Sequence, residues 1–261
     1  MARPVIALLT DFGLQDHYVG VMKGVILGIC PDAQLVDITH DIPPQQIRRG
    51  MLALDAAYRF FPQGTVFLCV VDPSVGSSRR AVALSAGGYH FVAPDNGLLS
   101  RVASNNPGCS AVELVSKAHQ LPAVSRTFEG RDRLAPAAGW LASGLALDAL
   151  GPRLSGLTLL DWPVARTTGS ETRGEVVASD RFGNLVTNIN RSMLPPGRVL
   201  EVRVGGHVIS SVVSTYVDVG VGELCALLGS SDDLEIAVRD GSAADRTGVD
   251  IGVAVQVRAL A

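Results

Sequence analysis

Short apolar runs that end on an acidic residue, and that alternate with segments of helical periodicity, limit the fold of this chain more than any other feature. The runs at residues 5–10 and 65–71 are each long enough only for a buried strand, and Asp11 and Asp72 follow them. Between the two runs, apolar residues recur at helical spacing at 19, 22, 26 and 29, then at 47, 51, 54, 58 and 61. Strands that alternate with helices predict right-handed crossovers and a largely parallel sheet.

The boundaries of these elements carry signals of their own. Asp16 is the expected N-cap of the first helix and Pro31 its stop, and Pro43-Pro44 are expected to open the second helix. The remaining elements expected in this half are a strand at 35–38, a hairpin of strands 81–85 and 89–93, a helix at 98–103, an edge strand at 111–114 and a helix at 135–143.

The helical periodicity disappears in the second half of the chain, where short β segments take over. Six segments are expected as strands: 174–179, 199–204, 207–213, 223–228, 234–238 and 253–258. Short strands at such spacing favour a small barrel or sandwich. We therefore expect an α/β N-terminal domain over 1–160 with a central, largely parallel sheet, a linker at 161–173, and a smaller all-β, barrel-like C-terminal domain over 174–261.

Composition excludes several classes of protein. With 47% hydrophobic and 18% charged residues the chain is globular, and its net charge of -3 argues against a nucleic-acid binder. The four cysteines are widely separated and lack CxxC spacing, which favours a reducing compartment over a disulfide framework. Neither a leader segment nor an apolar run of membrane-spanning length is recognised. The sequence predicts a soluble, cytoplasmic protein.

Polar side chains at strand ends are the first candidates for a functional site. Asp72 and either Arg79 or Arg80 can share a cavity at the rim of a sheet, where open α/β sheets bind ligands. An aspartate that caps a turn and pairs with an arginine on the surface would give the same pattern. A divalent ion held by Asp11, Asp16 and Asp72 would instead indicate a metal-dependent hydrolase.

Known motifs narrow these alternatives. The DFG at residues 11–13 lacks the glycine-rich loop, strand lysine and HRD segment of a kinase. The five histidines show no metal-ligand spacing, so we assign no metal residues. No P-loop, GxGxxG, GxSxG or HExxH is present.

Several segments together, in order over almost the whole chain, resemble one family. They are TDFGLQDHYVGVMKG, ICPDAQLVDITHDIPP, FFPQGTVFLCVVDPSVGSSRR, APDNGLL, TFEGRD, DRFGNLVTNI and ELCALLGSSDDLEIAVRDGSAA. They are similar to the S-adenosylmethionine (SAM) hydroxide adenosyltransferases, relatives of the fluorinating and chlorinating enzymes. The resemblance implies an α/β domain, a β barrel, and a homotrimer with SAM bound between one subunit's first domain and a neighbour's second. The implied reaction displaces methionine from ribose C5′ by water or hydroxide, giving adenosine and L-methionine without a cofactor.

The resemblance also assigns catalytic residues. The family's Asp falls on Asp72 and its Arg on Arg79, while the His of the usual TFHGRD segment falls on Glu129, a departure at a catalytic position. A cationic Arg79 would lower the pKa of the attacking water, and Asp72 would orient the water or accept its proton. Glu129 can accept a hydrogen bond as His does, but its charge lies beside that of Asp72. Each carboxylate would therefore raise the other's pKa.

Substrate-binding residues carry over in the same way. Asp11 matches the acid that accepts hydrogen bonds from the ribose diol, although a turn cap would explain it as well. Asp180 and Asn184 match groups at the amino-acid end of SAM, and Phe182 matches an aromatic that packs on adenine. Phe128 joins this set, and a position in the core would also explain it. Without the resemblance, DRFGN reads as an ordinary turn.

Two other functions stay open at this stage. The Glu129 departure is also expected of a SAM- or adenosine-binding protein with little catalysis. A 5′-halogenating enzyme is disfavoured, because its relatives carry tyrosine where Asp72 stands and an anionic Asp72 would repel halide. Adenosine formation from SAM distinguishes hydrolysis from mere binding, and trapping of 5′-halo-adenosine in concentrated halide would indicate halogenation.

Overall fold

A computed structural model describes residues 3–196 and 198–260, and they form a mixed α/β protein with two sheets. The chain divides into two compact units, the first ending at Leu160 and the second beginning at Asp161. Each unit has its own sheet and its own apolar core. Over the described residues, no helix is both long enough and apolar enough to cross a membrane.

The first unit contains a six-stranded sheet of order β2-β1-β3-β5-β4-β6. Its strands are β1 (Val5–Thr10), β2 (Gln34–Thr39), β3 (Val66–Val70), β4 (Ala81–Ala86), β5 (Tyr89–Pro94) and β6 (Ser110–Glu113). The β1 strand pairs in parallel with β2 and β3, and β3 pairs in parallel with β5. The predicted hairpin is confirmed as the antiparallel pair β4 and β5, and β6 lies at the edge as predicted.

The helices of this unit are α1 (Tyr18–Ile29), α2 (Ile47–Ala57), α3 (Ser100–Asn105) and α4 (Ala135–Ala142). A π-helical turn, Gly130–Leu134, leads directly into α4. The predicted N-cap at Asp16 is wrong, because His17 occupies that position and no side chain caps the helix. Pro43-Pro44 do not open α2 either. A turn closed by the Gln46 N–H on the Pro43 carbonyl separates them from Ile47.

Burial of β3 explains why its end can hold a site. Every residue of β3 is buried, as expected for a central strand covered on both faces. One face packs on α1 and α4, and on the other Phe67 stacks on Phe91 with ring centroids 5.0 Å apart. The chain therefore leaves a rigid strand immediately before Asp72.

The second unit contains a nine-stranded, nearly barrel-shaped sheet over the described residues. Its strands are β7 (Arg166–Thr168), β8 (Glu171–Ser179), β9 (Leu185–Asn190), β10 (Leu200–Val204), β11 (His207–Ile209), β12 (Val212–Val213), β13 (Leu224–Leu228), β14 (Asp233–Val238) and β15 (Ala254–Ala259). The order is β11-β10-β15-β8-β9-β14-β13-β12, with β7 beside β8. The two ends approach each other where β10 and β11 contact β12 and β13. A short helix, α5 (Ala243–Thr247), follows β14.

Three sequence expectations for this unit need correction. The segment 161–173, expected to be a linker, contains β7 and the first three residues of β8. The segment 207–213, expected as one strand, forms the two strands β11 and β12. The β9 strand was not predicted.

Candidate active site

The loop after β3 brings Asp72 and Arg79 together. Arg79 Nε donates to both carboxylate oxygens of Asp72, at 3.0 and 2.9 Å, and Nη2 donates to Oδ2 as well. The hydroxyl of Ser74 donates to Asp72 Oδ1 at 3.1 Å, and the backbone N–H of Arg79 donates to Ser77 Oγ at 3.2 Å. The loop therefore fixes both partners from within. The neighbouring Arg80 donates to Asp95 instead, so Arg79 and not Arg80 is the partner of Asp72.

Glu129 completes a cluster with this pair. Its Oε2 lies 2.5 Å from Arg79 Nη2 in an ion pair, although the oxygen receives no hydrogen bond of good geometry. The side chains of Arg79, Asp72 and Glu129 are 8%, 6% and 11% exposed. The structure thus brings together the three residues that the family resemblance assigned to catalysis. Their roles, and the match of Glu129 to a family histidine, stay predictions.

Gly76 joins the two segments that supply the cluster. Arg126 Nη2 donates to the Gly76 carbonyl at 3.2 Å. Gly76 has φ +80°, and a Cβ there would lie 2.5 Å from the Arg126 carbonyl oxygen. Only glycine allows the loop that carries Asp72 to approach so closely the segment that leads to Glu129.

Arg133 is a fourth member that the sequence reasoning missed. It lies on the π-helical turn that begins after Glu129, and its Nη1 is 3.4 Å from Glu129 Oε1. Its Nε is buried and has no hydrogen-bond partner among the described residues. The i,i+4 spacing of Glu129 and Arg133 was the available signal. Two carboxylates thus face two guanidinium groups.

The charge of Arg79 is secured by its surroundings. Burial lowers the pKa of its guanidinium, but the hydrogen bonds to Asp72 and the charges of Asp72 and Glu129 outweigh burial and raise the pKa above its ordinary value. Arg79 therefore stays cationic at any physiological pH. A permanent cation therefore lies between the two carboxylates and offsets their mutual repulsion.

Asp11 lies on the loop after β1, near this cluster. Its Oδ2 accepts a hydrogen bond from the backbone N–H of Gln45 at 2.8 Å. Burial raises the pKa of the Asp11 carboxyl, the Gln45 N–H opposes that rise, and the negative charge of Asp72 adds to it. Asp11 and Asp72 are therefore within electrostatic reach of each other. Asp16, by contrast, is exposed, and within residues 3–196 and 198–260 no three His, Cys, Asp or Glu side chains form a metal-binding group.

Phe128 is half-buried beside Asp11's loop. Its ring meets those of Phe12 and Tyr18 edge-on, with centroids 6.1 and 5.1 Å away. The guanidinium of Arg131 lies 5.3 Å from the same ring. This position is compatible with both a core contact and a partly open aromatic wall.

The second unit holds Asp180, Phe182 and Asn184 in one tight turn. Asp180 Oδ1 accepts from the backbone N–H groups of Phe182 and Asn184 at 2.8 and 2.9 Å, and Oδ2 accepts from Asn184 Nδ2 at 2.9 Å. The Phe182 side chain is 75% exposed. The structure therefore brings these three residues together, with an aromatic ring projecting from a hydrogen-bonded turn.

Two further residues near Asp180 were not predicted. Burial and the charge of Asp180 raise the pKa of Glu235, against a hydrogen bond with Tyr216. The pKa of Tyr216 is also raised, by burial and then by the charges of Glu235 and Asp180. No local motif marks these residues, because β14 and the segment before β13 meet the turn only in the folded barrel.

Comparison with known proteins agrees with both units. Residues 6–151 match the N-terminal domain of the SAM hydroxide adenosyltransferase family, and residues 174–256 match its C-terminal domain. A (R)-S-adenosyl-L-methionine hydrolase of Thermus thermophilus is 42% identical over 98% of this chain and 99% of its own. One of Salinispora tropica is 40% identical over 98% of both chains. A fluorinase of Nocardia brasiliensis is 30% identical over 98% of this chain and 97% of its own.

Solved structures give the same result. A crystal structure of an uncharacterized conserved protein from Thermotoga maritima superposes with a TM-score of 0.90 at 38% identity, covering 97% of this chain and 99% of that one. A conserved hypothetical protein from Thermus thermophilus gives 0.79 at 40% identity, covering 99% and 100%. With both domains matched and relatives this similar over nearly the full length, the chain belongs to the SAM hydroxide adenosyltransferase family.

Proposed function

We propose that this protein is an enzyme that hydrolyses SAM to adenosine and L-methionine. Relatives 36–42% identical that carry the name (R)-S-adenosyl-L-methionine hydrolase support this function. The observation that carries it is the buried cluster of Asp72, Arg79 and Glu129 at the end of β3. The names of the relatives favour the (R)-sulfonium epimer as substrate.

The reaction needs little from the protein beyond positioning and charge. Water attacks C5′ in line with the leaving sulfur, the C5′–S bond breaks, and its electron pair stays on the sulfur of methionine. One proton of the water must go to a base. The permanent charge of Arg79 lowers the pKa of a water bound near it, because it favours the hydroxide form.

The carboxylates of the cluster divide the remaining work. Asp72 accepts hydrogen bonds from Arg79 and Ser74, so it orients the guanidinium. Glu129 is held by ion pairs to Arg79 and Arg133, and its Oε2 keeps lone pairs free of good hydrogen bonds. Glu129 therefore retains more capacity to accept the proton of the water. We propose Glu129 as the principal acceptor of this proton, with Asp72 holding Arg79 in place.

Substrate binding follows the same assignment. We propose that Asp11 binds the ribose diol and that Phe128 borders it. Asp180, Phe182 and Asn184 would serve the methionine and adenine ends from a neighbouring subunit of a homotrimer. If so, coexpressed Asp72→Asn and Asp180→Ala chains recover activity in mixed trimers that neither variant shows alone. No recovery, or a monomer by light scattering, contradicts the shared site.

One assay separates this function from its alternatives. Purified protein is incubated with each sulfonium epimer of SAM, and adenosine and methionine are quantified by chromatography. Equal amounts of both products support hydrolysis, whereas binding in a calorimeter without products supports a SAM-binding protein. Trapping of 5′-halo-adenosine in concentrated chloride would support halogenation, which the anionic Asp72 disfavours. We also propose that the reaction needs no cofactor, so addition of a metal chelator should leave the rate unchanged. We further propose that the protein works in the cytoplasm, which cell fractionation tests.

A further inference from the structure

A chain of polar side chains runs from the buried Thr10 and His40 to the exposed Asp37, beside the loop that carries Asp11. Thr10 Oγ1 is 2.8 Å from His40 Nδ1 in a hydrogen bond. His40 Nε2 is 3.0 Å from Asp37 Oδ1, although among the described residues this buried nitrogen makes no hydrogen bond of good geometry. Lys23 Nζ donates to the other oxygen of Asp37 at 2.7 Å. Thr10 is fully buried and the His40 side chain is 2% exposed. Nothing in the proposed reaction uses these residues.

The order hydroxyl, imidazole and carboxylate is also the order of a nucleophilic triad. A nucleophile must reach its substrate, however, and Thr10 has no exposed surface. Its hydroxyl already accepts a hydrogen bond from the backbone N–H of Phe12 at 3.2 Å. The chain of side chains therefore acts on the backbone and not on a substrate.

The direction of the bond between Thr10 and His40 depends on the imidazole tautomer. Because Asp37 Oδ1 is an acceptor 3.0 Å from Nε2, we assign the neutral tautomer with its proton on Nε2, which leaves Nδ1 as an acceptor. The Thr10 hydroxyl then donates to Nδ1 and turns its lone pairs to the Phe12 N–H. The carbonyl of His40 also accepts from the Gly13 N–H at 2.9 Å. Thr10 on one side of Asp11 and Gly13 on the other are thus both hydrogen-bonded to His40, the residue that follows β2.

We propose that Asp37 and His40 are positioning residues for Asp11: they fix the loop from Thr10 to Gly13 so that the Asp11 carboxylate meets the ribose diol. This inference rests on the proposed function, in which Asp11 binds ribose. It assigns to the DITH segment at residues 37–40 a task in substrate affinity rather than in chemistry.

Calorimetry with adenosine, a product that engages the ribose contact without turnover, tests the inference. His40→Leu removes the acceptor for Thr10 and is expected to raise the adenosine Kd about 3- to 10-fold. KM for SAM should rise in parallel with little change in kcat, and methionine affinity should stay the same. His40→Asn keeps an acceptor near the Nδ1 position and should restore most of the affinity.

Two further variants keep the test decisive. Asp37→Asn acts from the partly exposed end of the chain and should raise the adenosine Kd even if His40→Leu does not fold. Asp41→Asn makes the same chemical change at an exposed residue nearby and serves as the matched control. In an Asp11→Ala background, both His40 variants should have no further effect.

The outcomes separate this inference from the proposed function. If wild-type protein neither binds adenosine nor hydrolyses SAM, the proposed function fails. If Asp11→Ala weakens adenosine binding but Asp37→Asn and His40→Leu leave it unchanged, the function stands and the positioning role is overturned. A kcat loss equal in all variants with constant Kd overturns it as well.

Discussion

Replacement of Arg79 by lysine probes the cluster most selectively. The guanidinium reaches Asp72 through Nε and Nη2 while Nη2 also contacts Glu129. A lysine ammonium is a single point, so it cannot keep both the paired contact with Asp72 and the contact with Glu129. At least one charge-assisted interaction is lost, worth about 1.5 to 3 kcal/mol. If that interaction acts in the transition state, kcat falls about 10- to 160-fold.

The adjacent arginine provides the matched control. Arg80 donates to Asp95 Oδ2 from Nε at 2.8 Å and to the Gly156 carbonyl at 3.1 Å, away from the cluster. Arg80→Lys should lower the melting temperature but change kcat by no more than about twofold. Both rates are measured by chromatography of adenosine at saturating SAM, with the fold checked by circular dichroism.

The comparison of the two variants can refute the reasoning. Equal loss of kcat in Arg79→Lys and Arg80→Lys would mean that the rate reports loop stability and not a bridging cation. An unchanged kcat in Arg79→Lys would mean that the guanidinium does not act on the attacking water.

Three other predictions concern the same site. Gly76→Ala should lower the free energy of unfolding by about 1 to 3 kcal/mol, since it combines a positive φ with a backbone clash, and unchanged urea unfolding would contradict this. Glu129→Gln should lower kcat about 10²-fold and alter the pH profile of the rate. Arg133→Met added to Glu129→Gln should lower kcat no further. An unchanged rate and pH profile in Glu129→Gln would remove Glu129 from the mechanism. The pKa of Asp11 is raised above its ordinary value of 3.8. As the pH is lowered, adenosine binding should therefore weaken already above pH 3.8, because the protonated carboxyl no longer accepts hydrogen bonds from both ribose hydroxyls. Asp72→Asn removes a charge that raises this pKa, so the midpoint should move to lower pH, and a midpoint that stays in place would show that the two acids do not interact.

Local patterns were enough to predict the strand ends that build the site. Val66–Val70 is a buried run followed by an acid and a turn, and each of those signals lies within a few residues. Asp72 and Arg79 are seven positions apart on one loop, so their pairing was foreseeable. The choice of Arg79 over Arg80 as the partner of Asp72 came from the family resemblance, because the spacing allows either arginine.

The features that escaped prediction depend on contacts distant in sequence or on irregular backbone. Arg133 contacts Glu129 from the π-helical turn that begins after Glu129, and the spacing of the two residues was the only local signal of that contact. The β9 strand alternates buried and half-buried residues, but its polar residues and the turn before it obscured the pattern. His40 contacts Thr10 across thirty positions, so its partner became visible only in the parallel pairing of β1 and β2.

The most direct test of the central claim is hydrolysis of SAM in water enriched in ¹⁸O. Attack of water at C5′ places one ¹⁸O on the 5′-hydroxyl of adenosine and none on methionine. Mass spectrometry of both products should find that distribution for the wild-type protein and greatly reduced turnover for Asp72→Asn. Adenosine without the label, or labelled adenosine formed equally fast by Asp72→Asn, would contradict hydrolysis at this cluster.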